Sequence, residues 1–195
     1  MRESSVQKLA RVLRVLVIIV FVCNILALFA VPVMAILTPR GAIEAGAEGL
    51  GYLLGPEAVP EDYLPFTLMF FLSWAGVWTD QYTAVLTLFL WACGVCTAII
   101  LWQAKRVLGT ILEGETFTLG NAANMKRAAY SSFVISAAAL IRTVWGICFY
   151  KSVLPMLTYN FLFVPLFLMA GLLFLVMSAL FRQAAEMKAE NDLTI

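Results

Sequence analysis

The chain has 195 residues, of which 63% are hydrophobic and only 13% are charged, and its formal net charge is +1. Soluble globular domains are roughly half apolar and about a quarter charged, so this composition excludes a soluble globular protein. The sequence contains no histidine, which excludes histidine-based acid–base catalysis and histidine-ligated metal sites.

Four apolar stretches are long enough to cross a bilayer, and they occupy residues 15–37, 82–102, 128–149 and 161–181. A hydrocarbon core of about 30 Å takes about 20 helical residues, because backbone groups in lipid must pair within their own segment. The first stretch is longer than the apolar region of a signal peptide, which predicts a retained anchor. The predicted fold class is an all-α integral membrane protein, a four-transmembrane-helix bundle with cytoplasmic helical extensions and an irregular first outer loop, in a single membrane domain over 1–195.

Basic residues are distributed unevenly between the two sides that these spans define. The N-terminus, the loop between the second and third spans and the C-terminus together carry Arg2, Lys8, Arg11, Arg14, Lys105, Arg106, Lys126, Arg127, Arg182 and Lys188. The opposite side carries only Arg40 and Lys151. Short cytoplasmic segments hold the excess of Lys and Arg. Both termini are therefore predicted to be cytoplasmic.

The first outer loop, residues 38–81, is acidic but contains an apolar, aromatic segment at 64–78. This segment is either a fifth span or an interfacial, partly re-entrant segment. A fifth span would place the basic loop at 103–127 outside the cell, and the segment is short for a crossing. Its aromatic residues suit the headgroup region. We therefore predict an interfacial segment.

The polar segments beyond the second and fourth spans are predicted to be helical. Residues 103–127 form a cytoplasmic helical hairpin, in which Gly114 ends one helix and Thr118 caps the next. Residues 182–195 form a cytoplasmic helix and a short tail. Along the third span, small residues recur at spacings of three and four and predict a close packing face: Ala128, Ser132, Ser136, Ala139, Thr143 and Gly146.

Two polar segments resemble a known family. They are the run from Glu113 to Thr118, followed by Asn121, Asn124 and Lys126, and the C-terminal run from Glu190 to Ile195. Together they resemble the bacterial membrane-protein family catalogued as domain of unknown function 2975, whose members have four predicted helices and no established activity. The resemblance implies a membrane-bound regulator, because such genes often lie beside one for a small helix-turn-helix DNA-binding protein. It also implies that the chain lies in a bacterial cytoplasmic (inner) membrane, and it implies no catalytic residues.

Arg142 is an ionisable residue inside the third span, where a charge costs at least about 2.5 to 3.5 kcal/mol. Its side chain either snorkels to the outer surface, about 10 Å away, or has a buried partner. Asp80 is the first candidate partner and Asn24 the second. A small-molecule transporter or binder that uses Arg142 is the alternative to these structural roles.

Cys93 and Cys96 have the Cys-x-x-Cys spacing of dithiol oxidoreductases. They lie near the middle of the second span, where burial disfavours the reactive thiolate, so packing is the preferred interpretation. A membrane dithiol oxidoreductase stays the less favoured alternative.

The preferred functional hypothesis is a regulatory or accessory membrane protein, not an enzyme, without a cofactor or metal. Its partners are the lipid bilayer and a protein bound on the cytoplasmic side, and direct nucleic-acid binding is not expected because the basic cluster lies too close to lipid. A homo-oligomer is also possible from the sequence alone. The candidate partner-binding residues are Phe117, Thr118, Asn121, Asn124, Asp192, Leu193, Thr194 and Ile195.

Overall fold

The computed structural model describes residues 5–37, 66–78 and 80–192, and all secondary structure in these ranges is helical. The elements are α1 (Ser5–Leu37), α2 (Phe66–Gly76), α3 (Gln81–Leu112), α4 (Leu119–Tyr150), a 3-10 helix (Leu154–Leu157) and α5 (Tyr159–Asp192). Most of the predicted irregular outer loop lies outside the described residues.

Four helical segments are long and apolar enough to cross a membrane: Gln7–Val33, Gln81–Leu112, Leu119–Tyr150 and Tyr159–Asn191. This result confirms the prediction of a multi-pass, all-α membrane protein with four spans. Both α3 and α4 have 32 residues, a length of about 48 Å. Since the hydrocarbon core is about 30 Å thick, each helix continues beyond it.

The chain divides into two compact units, one containing Met1–Leu26 and Ala92–Ile195 and the other containing Ala27–Trp91. In the second unit, α2 has 11 residues and a length of about 16 Å, which is too short to cross the bilayer. Its Trp74 ring lies 5.3 Å from the ring of Trp91, measured between centroids. The interfacial position of α2 stays a prediction.

A proline in α1 explains a second contact in this unit. Pro32 lies inside α1 and has no N–H, so the carbonyl of Leu28, four residues earlier, loses its helical donor. The indole Nε1 of Trp91 donates to that carbonyl at 3.2 Å. The contact replaces the missing backbone bond, which apolar surroundings would otherwise leave costly.

In the first unit, α4 and α5 pack against each other in antiparallel directions along the small-residue face of α4. All six residues predicted for that face are buried, which confirms the prediction. Two serine hydroxyls join the helices: Ser136 Oγ donates to Val164 O at 2.8 Å, and Ser178 Oγ donates to Ala122 O at 2.7 Å. The backbones approach closely enough for hydroxyls to reach across the interface.

Candidate functional site

The connection between α3 and α4 is fixed at both ends by local capping. After α3 ends at Leu112, Gly114 adopts a φ of 85°, a left-handed conformation that glycine tolerates best. The N–H of Glu115 donates to Thr110 O at 2.9 Å, and that of Gly114 donates to Ile111 O at 3.2 Å, as in a Schellman motif. At the start of α4, Thr118 Oγ1 accepts from the N–H of Asn121 at 3.2 Å. Both predicted helix boundaries are confirmed.

Asn121 joins the two sides of this turn. Its Nδ2 donates to Thr110 Oγ1 at 2.7 Å and to Thr116 O at 2.8 Å, and its side chain is only 1% exposed. Its Oδ1 is buried and has no hydrogen-bond partner within the part of the chain that the structure describes. Asn124 is buried as well. Asn121 therefore shapes the turn, and neither residue presents an exposed surface of its own.

Phe117 is the predicted site residue whose ring is most open to a partner. Its side chain is 52% exposed, and its ring lies 5.7 Å from that of Phe181 on α5, which is buried. One side of the ring is thus held by α5 while the other is free for contact. Asp192 is the last residue of α5, and Leu193, Thr194 and Ile195 lie outside the described residues.

Arg142 has a partner that the sequence did not indicate. Its Nη1 donates to Oδ1 of Asn160, the second residue of α5, at 2.9 Å. The chain beyond Arg142 folds back along α4, since a Cβ placed on Gly146 would lie 3.3 Å from Pro155. A single sequence does not give the register between α4 and α5. It therefore could not identify Asn160 as the partner of Arg142.

Asp80 and Asn24 are the two residues that the sequence suggested as partners of Arg142, and each has a distinct local environment. Asp80 Oδ2 accepts from the N–H of Thr83 at 3.0 Å and from its hydroxyl at 2.8 Å, so Asp80 caps the first turn of α3. These hydrogen bonds stabilise the ionised carboxylate and lower the pKa of Asp80 below its usual value, with the largest effect from the backbone N–H of Thr83. The Oδ1 of Asn24 is buried without a hydrogen-bond partner among the described residues.

Both cysteines of the Cys-x-x-Cys pair are free thiols within α3, with Cys96 buried and Cys93 partly buried. They lie well inside a membrane-spanning helix rather than at its water-exposed end. A dithiol that exchanges with soluble partners must be accessible to them. This placement favours packing over redox chemistry.

The comparisons with curated proteins and with solved structures found no match. The family described as "Protein of unknown function (DUF2975)" matches residues 55–195. The matched range contains α2 to α5, and with them the capped turn, Arg142 and the C-terminal segment. The chain therefore belongs to the DUF2975 family, as its two polar motifs predicted.

Proposed function

We propose that this protein is a regulatory or accessory membrane protein, not an enzyme, which presents the α3–α4 hairpin (residues 103–127) and the C-terminal segment (182–195) to a protein partner in the cytoplasm. The observation that carries the proposal is the half-exposed Phe117 ring on a turn fixed by hydrogen bonds. Aromatic side chains are enriched at protein interfaces. A turn that is already ordered also loses little conformational entropy on binding.

The charges near the span ends support the cytoplasmic orientation of this surface. Lys105 and Arg106 near the end of α3 lie on the same side of the predicted spans as Lys126 and Arg127 near the start of α4, whereas Lys151 lies on the other side. Lys105 also contacts an aromatic ring, with its Nζ 4.8 Å from the centre of Trp102, an arrangement that suits the membrane interface. The excess of basic residues favours a cytoplasmic hairpin.

The chemistry of the turn favours a basic partner. Glu113 and Glu115 are exposed on either side of Gly114, four and two residues before Phe117. Acidic and aromatic side chains on one turn complement the basic surface that a DNA-binding protein presents to phosphates. The proposed partner is therefore a small helix-turn-helix regulator, the class that the family resemblance implied.

Co-purification from native membranes tests the proposal. The protein is isolated in mild detergent, and the amount of helix-turn-helix regulator that co-purifies is measured by mass spectrometry for the wild type and for Phe117→Ala. We expect at least about a tenfold loss of bound regulator, since a central aromatic contact at an interface contributes about 1.4 kcal/mol or more.

The matched control is Phe149→Ala. Phe149 is 47% exposed and also contacts aromatic rings, but it lies near the other end of α4. Equal recovery of the regulator with wild type and Phe117→Ala, or equal loss with the two variants, contradicts the proposal.

A further inference from the structure

A groove between α4 and α5 is lined partly by residues of the hairpin and of the C-terminal segment, but the partner contact proposed for Phe117 does not use it. Its volume is about 500 Å³, within the range of about 300–1,000 Å³ that small-molecule sites occupy. Ala122 and Ala123 line it from α4, and Leu175 and Ala179 line it from α5. The hydrogen bond from Ser178 to Ala122 O holds these walls together. The groove is therefore a mainly apolar trough between two packed helices.

Charged side chains line the same groove where the apolar spans end. Lys126 comes just before the predicted third span, and Arg182 comes just after the fourth, and both line the groove. Arg182 Nε donates to Glu186 Oε1 at 2.8 Å, a bond that does not involve the two terminal nitrogens of the guanidinium. The Nζ of Lys126 lies 5.9 Å from the centre of the Tyr130 ring. Two cations thus stand at one end of an apolar trough.

We propose that this groove binds an anionic phospholipid, with the phosphate at Lys126 and Arg182 and an acyl chain along Ala122, Leu175 and Ala179. Three features select this occupant. The cations flank the ends of the predicted spans, where headgroups are expected to begin, and basic sites between helices on the cytoplasmic side bind anionic headgroups. The surrounding face of α5 is apolar and exposed at Leu172, Val176 and Leu180, so a lipid enters without leaving the bilayer. Glu186 offsets one of the two cations, which leaves a net single positive charge for a singly charged phosphate.

A lipid in this groove does not require a protein partner at Phe117, which does not line the groove. It assigns Lys126 a role that its neighbour Arg127 does not share, although both are exposed at the same depth. Arg127 does not line the groove. A general attraction between basic residues and an anionic membrane would treat the two side chains alike. This difference makes the proposal testable with two variants of equal net charge.

The test measures lipid binding to the purified full-length protein by native mass spectrometry. The probes are phosphatidylglycerol and phosphatidylcholine with identical acyl chains, added to delipidated protein. We expect the wild type to prefer phosphatidylglycerol, and Lys126→Gln or Arg182→Gln to reduce that preference about fivefold, the effect of one basic residue at a membrane surface. Arg127→Gln should leave it unchanged. Equal losses for Lys126→Gln and Arg127→Gln, or no preference in the wild type, would overturn the proposal.

A second pair of variants tests the apolar part of the groove. Ala179→Phe fills it and should reduce binding of both lipids, whereas Ala137→Phe, at an exposed position of α4 outside the groove, should not. Both variants add the same bulk to a lipid-exposed helix surface, and size-exclusion chromatography shows whether each is folded. Unchanged lipid binding by folded Ala179→Phe would also overturn the proposal.

Discussion

The polar side chain of Asn121 is buried and stabilises the turn rather than contacting a partner. Its two donated hydrogen bonds join α4 to Thr110 of α3 and to Thr116 of the connecting segment, and the Asn121 side chain itself is buried. Asn121→Ala should therefore lower the free energy of unfolding by about 1–3 kcal/mol, because Thr116 O loses a buried donor. It should also speed amide hydrogen exchange across residues 113–118.

The control for Asn121 is Gln183→Ala, which removes an amide from an exposed position of α5. Surface changes of this kind stay within about 0.5 kcal/mol. If amide hydrogen exchange across the turn is the same in Asn121→Ala as in the wild type, the helix caps alone stabilise the hairpin and the prediction is wrong.

Arg142 and Asn160 show how a charge is accommodated inside a span. If the pair is structural, Asn160→Leu should cost about 1.5–3 kcal/mol, since a hydrogen bond to a charged group is lost while the charge stays in place. Arg142→Leu should cost less, because it removes the charge itself. A double-mutant cycle in detergent measures the coupling. A coupling near zero would contradict the structural pair and favour the alternative of a small-molecule site at Arg142.

At the scale of elements, α1 depends on a residue of α3 to complete its hydrogen bonding. Trp91→Phe keeps an aromatic ring but removes the donor to Leu28 O, and should lower stability by about 1–3 kcal/mol. Pro32→Ala restores a backbone N–H that can donate to the same carbonyl. Adding Pro32→Ala should therefore reduce the cost of Trp91→Phe, as measured by thermal unfolding. An undiminished cost in the double variant would count against this explanation.

The packing of α4 on α5 depends on one glycine. A Cβ at Gly171 would lie 2.5 Å from Cε1 of Phe133, so Gly171→Ala should cost about 1–3 kcal/mol through overpacking. Apart from the backbone of its own helix and its chain neighbours, no described residue has an atom within 4 Å of a Cβ added at Gly109 in α3. Gly109→Ala should therefore stabilise its helix by up to about 1 kcal/mol. Melting temperatures that shift in the same direction for both variants would contradict the predicted interface.

For the whole molecule, the orientation in the membrane is the property on which the proposed function depends. In a variant whose four cysteines are replaced by serine or alanine, single cysteines are introduced as Glu115→Cys and Ser152→Cys. A membrane-impermeant maleimide applied to intact spheroplasts should label Ser152→Cys but not Glu115→Cys, because basic flanks retain the hairpin inside. Opening the membrane should expose both. Labelling of Glu115→Cys in intact spheroplasts would show that the hairpin lies outside the membrane and would contradict the predicted orientation.

The sequence by itself determined the features that depend on neighbouring residues. Span lengths follow from uninterrupted apolar runs, the turn follows from Gly114 and Thr118, and the packing face of α4 follows from its spacing of small residues. The family motifs were also readable without coordinates. Each of these features is local because it depends on backbone hydrogen bonding or hydrophobic length within one segment.

Only the tertiary structure decided which helices exchange hydrogen bonds. Trp91 with Leu28, Arg142 with Asn160, and the groove between Lys126 and Arg182 each depend on the rotation and register of two helices. In a soluble protein the polar face of a helix reveals its rotation. Helices in lipid are apolar on nearly every side, so their sequences carry little of that signal, and close packing between particular surfaces fixes the register instead.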